Sequence, residues 1–221
     1  DLVNATVAIE DETFWTHSGV NWKRTLYGVF LMFTGKDIQG GSTITQQIIK
    51  NMTDDDEVTV KRKVMEIFRA LEFEKNYTKQ EILEMYLNTI YLGQGCYGVQ
   101  TASEFYFGKD VSELDPAECA CLIAITNNPS LYGPMSTITI TREDGSTVTP
   151  RELNKQRQET ILKKMTEVVN PDTGKPYLTK EDYEAAKAEP LNFTDTSGDA
   201  SSVIKQTDGV EINNWFVEQL I

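Results

Sequence analysis

Three groups of residues in this 221-residue chain have the types and spacing to do chemistry. The first is Gln39-Gly40-Gly41-Ser42-Thr43-Ile44-Thr45-Gln46-Gln47, leading into Ile48, Ile49 and Lys50. Two glycines let backbone approach a ligand closely, and the hydroxyls stand at an expected helix start, where unpaired N–H groups favour anions. The spacing is not that of a nucleotide P-loop, and a polar cap before an ordinary helix is the plain alternative. The second group is Glu10-Asp11-Glu12, placed directly after the apolar run 5–9 and before Phe14, Trp15 and His17. A carboxylate at the end of a buried segment, beside aromatic rings, is suited to act as a general base; solvated acids at a helix end are the alternative. The third is Arg62, Lys63, Glu66 and Arg69, three or four apart and so on one helix face. It reads either as a solvated ion-pair ladder or as a glutamate among three cations that face a diphosphate.

The elements that must carry these groups are mostly helices. Val60, Val64, Ile67, Phe68 and Leu71 recur at helical spacing, which predicts an amphipathic helix over 59–75. Thr78 with Glu81 predicts a capping box ahead of Ile82, Leu83, Tyr86, Leu87 and Ile90, and Asp115-Pro116 with Glu118 predicts the start of an apolar helix over 117–125. Alternating Thr and Ile around Asp144-Gly145 predicts a β-hairpin within 136–150. A helix over 151–169, a turn at 170–174 and a short helix capped by Thr179 and Asp182 follow, and 194–202 reads as a linker.

Composition narrows the classes. With 39% hydrophobic and 25% charged residues the chain is globular, and its net charge of -13 argues against a nucleic-acid binder. Residues 13–53 reverse that balance, with Lys23, Arg24, Lys36 and Lys50 against Asp37 alone, so an anion site is expected there. A zinc site would need Cys96, Cys119, Cys121 and the only histidine, His17, but no CxxC or HxxxH spacing supports one; small buried thiols are the preferred reading. The longest apolar run, 26–33, is far shorter than the ~20 residues of a spanning helix, so the protein is either cytosolic or a piece excised from a longer chain. The segment 22–33, rich in aromatic and aliphatic residues and flanked by cations, is expected to dip into a membrane interface, a buried core helix being the alternative.

In combination, the chain resembles the peptidoglycan glycosyltransferase (transglycosylase) domain of class A penicillin-binding proteins and their monofunctional relatives. The matching residues are Glu10-Asp11-x-x-Phe14-x-x-His17-x-Gly19, Gly40 to Gln47, and Arg62-Lys63-x-x-Glu66. They continue with Ile82-Leu83-Glu84-x-Tyr86-Leu87-Asn88, Gly93, Gly98 and Tyr106-Phe107-Gly108-Lys109, and with Leu114-x-x-x-Glu118 running to Pro129-x-x-Tyr132-x-Pro134. The resemblance implies a mainly α, lysozyme-like, two-lobed domain over 1–192. It would have a large head lobe, a small membrane-facing jaw at about 20–50 and a hairpin insertion at about 136–150, and 193–221 would lead toward an absent transpeptidase domain.

It further implies polymerisation of lipid II into glycan strands by inverting transfer, with loss of undecaprenyl diphosphate, at the outer face of the bacterial cytoplasmic membrane. Glu10 would be the general base for the acceptor's 4-hydroxyl and Glu66 the second essential carboxylate, near the donor diphosphate. Ser42, Thr43, Gln46, Gln47, Lys50, Arg62 and Lys63 would line the diphosphate and sugar subsites. Asp11, Phe14, His17, Gly41, Thr45, Asn88, Tyr91 and Gly93 would complete the substrate-binding set. The partners implied are lipid II, the growing strand, the membrane and the transpeptidase domain; no cofactor is required. Where relatives often carry an arginine that helps hold phosphate, this chain has Asp54-Asp55-Asp56-Glu57, which would either recruit a divalent cation (Mg or Mn) to the diphosphate or form a solvated helix start. A strand-cleaving hydrolase on the same fold and a non-catalytic lipid II-binding scaffold are the competing readings.

Overall fold

The structure is a computed structural model that describes residues 1–33, 41–53, 59–142 and 144–194. Its helices run in chain order α1 (Leu2–Glu10), α2 (Trp22–Phe33), α3 (Ile44–Thr53), α4 (Val60–Asn76), α5 (Lys79–Thr89), α6 (Val99–Phe107), α7 (Pro116–Ile125), α8 (Pro129–Tyr132), α9 (Pro150–Glu167) and α10 (Lys180–Ala188). A 3-10 turn at Val111–Glu113 precedes α7, and strands β1 (Ile140–Thr141) and β2 (Thr147–Val148) lie between α8 and α9. The fold is mainly α.

Helix α7 is the axis of the core. Every residue from Ala117 to Ile125 is buried, as expected of a helix apolar on all sides, and α1, α6, α8, α9 and α10 pack around it. Each fully buried Leu or Ile here contributes about 1.5–3 kcal/mol relative to exposure. The expected start of α7 is present: Asp115 accepts from the Glu118 N–H, Glu118 reaches back to the Asp115 N–H, and Pro116 opens the first turn. Reciprocal caps also start α5 at Thr78 and α9 at Thr149, each satisfying N–H groups that the helix cannot. On its buried face α9 carries two amides beside Ile161, Leu162 and Met165: Asn154 donates to the carbonyls of Cys121 (3.1 Å) and Tyr132 (2.7 Å), and Gln158 to that of Ala117 (2.8 Å).

A second group, α3 packed on α4 and α5, carries most of the candidate site. Its junction with the loop after α1 passes through Gly19, at φ +87, where a Cβ would sit 2.6 Å from the Ala70 carbonyl of α4. Only glycine lets that loop lie so close.

The structure refines three expectations. The helix over 59–75 is present as α4, but most of its apolar stripe does not face the core: Val60, Val64 and Phe68 are exposed, whereas Glu66, Ala70 and Phe73 are buried. The hairpin expected within 136–150 is present, pairing Ile140 with Val148 and Thr141 with Thr147. The folded body extends past residue 192: Phe193 stacks on Phe107 at 5.4 Å, and Thr194 donates to the carbonyls of Tyr106 and Phe105. The rest of the linker, the tail residues 213–217, Lys36, Gly40 and the acidic run 54–57 lie outside the described residues.

Helix α2 is not a core element. Trp22, Leu26, Tyr27 and Phe30 are 53–64% exposed, and Asn21 caps the helix by accepting from the Arg24 N–H. The three cysteines are buried free thiols. No helix among the described residues is long and apolar enough to cross a membrane.

Candidate active site

Helix α1 delivers Glu10 from its packed face to the edge of the core, where the chain turns away at Asp11. Two neutral groups hold the Glu10 carboxylate. Gln47 Nε2 donates to Oε2 at 3.0 Å, and the Thr126 hydroxyl, at the end of α7, donates to Oε1 at 2.9 Å. The Gln47 amide is oriented in turn by Tyr86, whose hydroxyl donates to Gln47 Oε1 at 3.2 Å. Burial, with the nearby Glu10 charge adding to it, pushes the Tyr86 phenol well above its ordinary pKa, so it keeps the proton it donates. Among the described residues no cation forms an ion pair with Glu10.

One residue back along α3 the geometry is the same in form and opposite in charge. Gln46 Nε2 donates to Glu66 Oε1 at 3.1 Å. Glu66, 4% exposed, also pairs with Arg62 Nη1 at 2.8 Å and with the Lys63 ammonium, which itself reaches Ser42 Oγ at 2.9 Å. Adjacent residues on a helix point about 100° apart. The pair Gln46-Gln47 thus makes α3 a crosspiece between the two carboxylates.

A second tier fixes this crosspiece. Thr43 and Gln46 form a reciprocal cap, the Gln46 N–H donating to Thr43 Oγ1 and the Thr43 N–H to Gln46 Oε1. The Thr43 hydroxyl donates to the Gly19 carbonyl at 2.7 Å. Asp11, fully buried, accepts from the Ile44 N–H at 3.1 Å and from His17 Nε2 at 2.8 Å, placing a negative charge at the N-terminus of α3. His17 Nδ1 accepts the Gly19 N–H, which assigns the imidazole proton to Nε2. Thr45 donates to Glu74 at 2.6 Å, and Glu74 pairs with Lys79 at 2.7 Å, above the Phe14 ring. Burial lowers the Lys79 ammonium below its ordinary pKa, and Glu74 opposes that shift.

Beside Glu66 a cavity of about 180 Å³ opens between α3 and α4, lined by Lys50, Lys61, Arg62 and Arg69 together with the Thr53 and Thr59 side. Among the described residues of this lining, Lys50, Lys61, Arg62 and Arg69 stand with one acid, Glu66, so cations outnumber acids on these walls.

A profile of the family described as Transglycosylase matches residues 1–166. The chain belongs to the transglycosylase family. It is similar to penicillin-binding protein 1A of Aquifex aeolicus, 38% identical over 86% of this chain and 24% of that protein. It is also similar to penicillin-binding protein 2D of Bacillus subtilis, 44% identical over 71% of this chain and 23% of that protein. The chain thus spans about a quarter of the length of these relatives. A crystal structure of penicillin-binding protein 1A from Haemophilus influenzae is 25% identical over 74% of this chain and 19% of that one, with a TM-score of 0.42.

The structure gathers Glu10, Asp11, His17, Ser42, Thr43, Thr45, Gln46, Gln47, Arg62, Lys63 and Glu66 into one hydrogen-bonded network, with Lys50 on the cavity beside it. Asp11, Phe14, Thr43, Thr45 and Gln46 were expected to touch substrate. All five are at most 1% exposed, and the side chains of Asp11, Thr43, Thr45 and Gln46 hydrogen-bond within the protein. Asn88, Tyr91 and Gly93 lie elsewhere. Asn88 faces an apolar groove with Leu2 and Trp15, Tyr91 bridges and packs on Tyr97, and Gly93, at φ +78, turns the loop under the Tyr106 hydroxyl. Gly41 is half-buried just ahead of the Thr43 cap.

The sequence reading missed Thr126, Glu74 and Lys79. Lys79 carried a signal, since it is a cation in the first turn of α5, where the helix dipole disfavours it, and so calls for a nearby anion. Among the described residues no group of three or more His, Cys, Asp or Glu side chains is arranged to hold a metal, and His17 is engaged by Asp11 rather than grouped with thiols.

Proposed function

We propose that this transglycosylase polymerises lipid II into glycan strands by inverting glycosyl transfer, with undecaprenyl diphosphate as the leaving group. The supporting observation is the opposed setting of two carboxylates on one crosspiece. Among the described residues Glu10 accepts from neutral donors alone, the arrangement suited to a general base, whereas Glu66 is paired with two cations, the arrangement suited to organising charge.

In this reading Glu10 removes the proton of the acceptor's sugar 4-hydroxyl as that oxygen attacks the donor's anomeric carbon. The bond from that carbon to the diphosphate oxygen breaks, and the diphosphate leaves with the electron pair. Its charge is met by Lys50, Arg62 and Lys63, held in register by Glu66. A single displacement inverts the anomeric centre.

The exposed apolar face of α2, together with Val60, Val64 and Phe68 of α4, would rest in the outer leaflet of the cytoplasmic membrane, where a polyprenyl-linked substrate resides. The chain would be the transferase part of a longer protein carrying a transpeptidase domain. Incubation with lipid II and separation of the products by size tests the reading. Polymer is the expected product; unchanged lipid II, or cleavage of ready-made strands, would overturn it.

A further inference from the structure

We infer that Thr126 is a positioning residue for Glu10, its single hydroxyl proton following the carboxyl group through the reaction. The inference rests on the reading of Glu10 as the base. Thr126 Oγ1 lies 2.9 Å from Glu10 Oε1 and 2.8 Å from the Ile123 carbonyl oxygen. A hydroxyl has one proton to donate and lone pairs to accept with, so it can serve only one of these oxygens as donor at a time. The Ile123 carbonyl also receives the Thr126 N–H, at 3.3 Å, and is not stranded when the hydroxyl turns to Glu10.

The other group on Glu10 cannot reverse in this way. Gln47 presents an N–H, which has no lone pair to accept with, and its amide is held in that orientation by Tyr86. Of the described partners of Glu10, Thr126 is the one that can be donor to the ionised carboxylate and acceptor from the protonated one. When Glu10 takes the proton of the sugar hydroxyl, its new O–H can be met by Thr126 Oγ1, whose own proton turns to Ile123. The sugar oxygen loses one proton, Glu10 gains it, and Thr126 keeps its own. Because Thr126 caps α7, the most deeply buried helix, the hydroxyl rotates on a fixed backbone and no reorganisation of the chain is needed.

The test compares Thr126→Val, Thr126→Ser and Glu10→Gln with the parent chain in steady-state lipid II polymerisation across pH. Valine keeps the shape and removes the hydroxyl, and so removes a partner of both forms of the carboxyl group; because donation to a charged acceptor is about twice as strong as a neutral bond, the ionised base loses more. The maximal rate should fall about tenfold, and the acid limb of the rate profile should move up by about one pH unit. KM and moenomycin affinity should be unchanged, and Thr126→Ser should restore both rate and profile. If circular dichroism shows Thr126→Val to be unfolded, Thr126→Ala is read in its place with the same expectations. A profile that superimposes on the parent's overturns the inference. So does a pH-independent loss that serine fails to rescue, which would make the residue merely structural. Glu10→Gln separates the two claims: activity in that variant removes the base itself, whereas an inactive Glu10→Gln with an unshifted Thr126→Val removes only the role of Thr126.

Discussion

Replacing each of the two glutamates by glutamine should separate them by stability before any activity is measured. At Glu66 both oxygens accept from donors: Oε1 from Gln46 and Lys63, Oε2 from Arg62. Glutamine must turn an NH2 toward one of those donors and leaves two cations without their anion. Removing one partner of a buried pair costs ~3–5 kcal/mol. The Arg62 and Lys63 side chains keep 18% and 15% exposure, so water takes over part of the charge. The cost is therefore set at ~2–3 kcal/mol, which for a chain of this size lowers Tm by ~4–12 °C. At Glu10 a glutamine oxygen can still accept from Gln47, while its NH2 donates to Thr126, whose proton turns to Ile123. No donor is left facing a donor, and the cost should stay below ~1 kcal/mol, or under ~4 °C. Thermal melts of both variants at pH 7, followed by circular dichroism, make the comparison. Equal losses, or a larger loss at Glu10, would refute the assignment of neutral and ionic surroundings.

Other consequences concern the anion cavity, the α2 face and the buried phenols. Lys50→Ala should weaken moenomycin binding by ~10- to 100-fold, as expected for a lost charge-assisted phosphate contact, and Arg62→Lys should also weaken it because a point charge cannot replace the planar fork; titration of the inhibitor reads both. Changing Leu26, Tyr27 and Phe30 together to Ser should reduce sedimentation with anionic phospholipid vesicles by roughly 10- to 100-fold while leaving the melt unchanged, since all three are already exposed; unaltered sedimentation would refute a membrane role for α2. Burial raises the Tyr86 and Tyr106 phenols above their ordinary values, so the stability they contribute is fully present below about pH 10 and is lost as pH rises further, when only the unfolded chain can ionise them. Ultraviolet titration should show these two of the nine tyrosines ionising only together with unfolding, and free titration near pH 10 would contradict their placement.

What could be read from sequence was what is local. The caps at Thr78, Asp115 and Thr179 are patterns within four residues, and the helices they open are present. The spacing of Arg62, Lys63 and Glu66 likewise carried their ion pairs, because residues three and four apart must meet on a helix. Which way a face points is not local. Val60, Val64 and Phe68 share a side of α4 as their period requires, yet that side is open and Glu66 turns inward, since periodicity groups residues without naming what covers them. The run from Ser42 to Gln47 was ambiguous for a related reason: the same hydroxyls and amides suit a ligand site or a helix cap. Thr43 and Gln46 form the cap, and Gln46 still has an N–H for Glu66. Thr126 was invisible because its bond to Glu10 spans 116 positions and exists only once α1 and α7 have packed.

The central claim is that Glu10 is the base and that the cationic cluster around Glu66 is a separate anion-binding device joined to it through α3. The most direct test measures two quantities on Glu10→Gln: the rate of lipid II polymerisation and the affinity for moenomycin, whose phosphate addresses the cluster but needs no proton transfer. The account predicts polymerisation lost by at least ~1,000-fold with affinity within about twofold of the parent chain. Polymerisation near the parent rate would contradict it and move the base to another group at the end of α1.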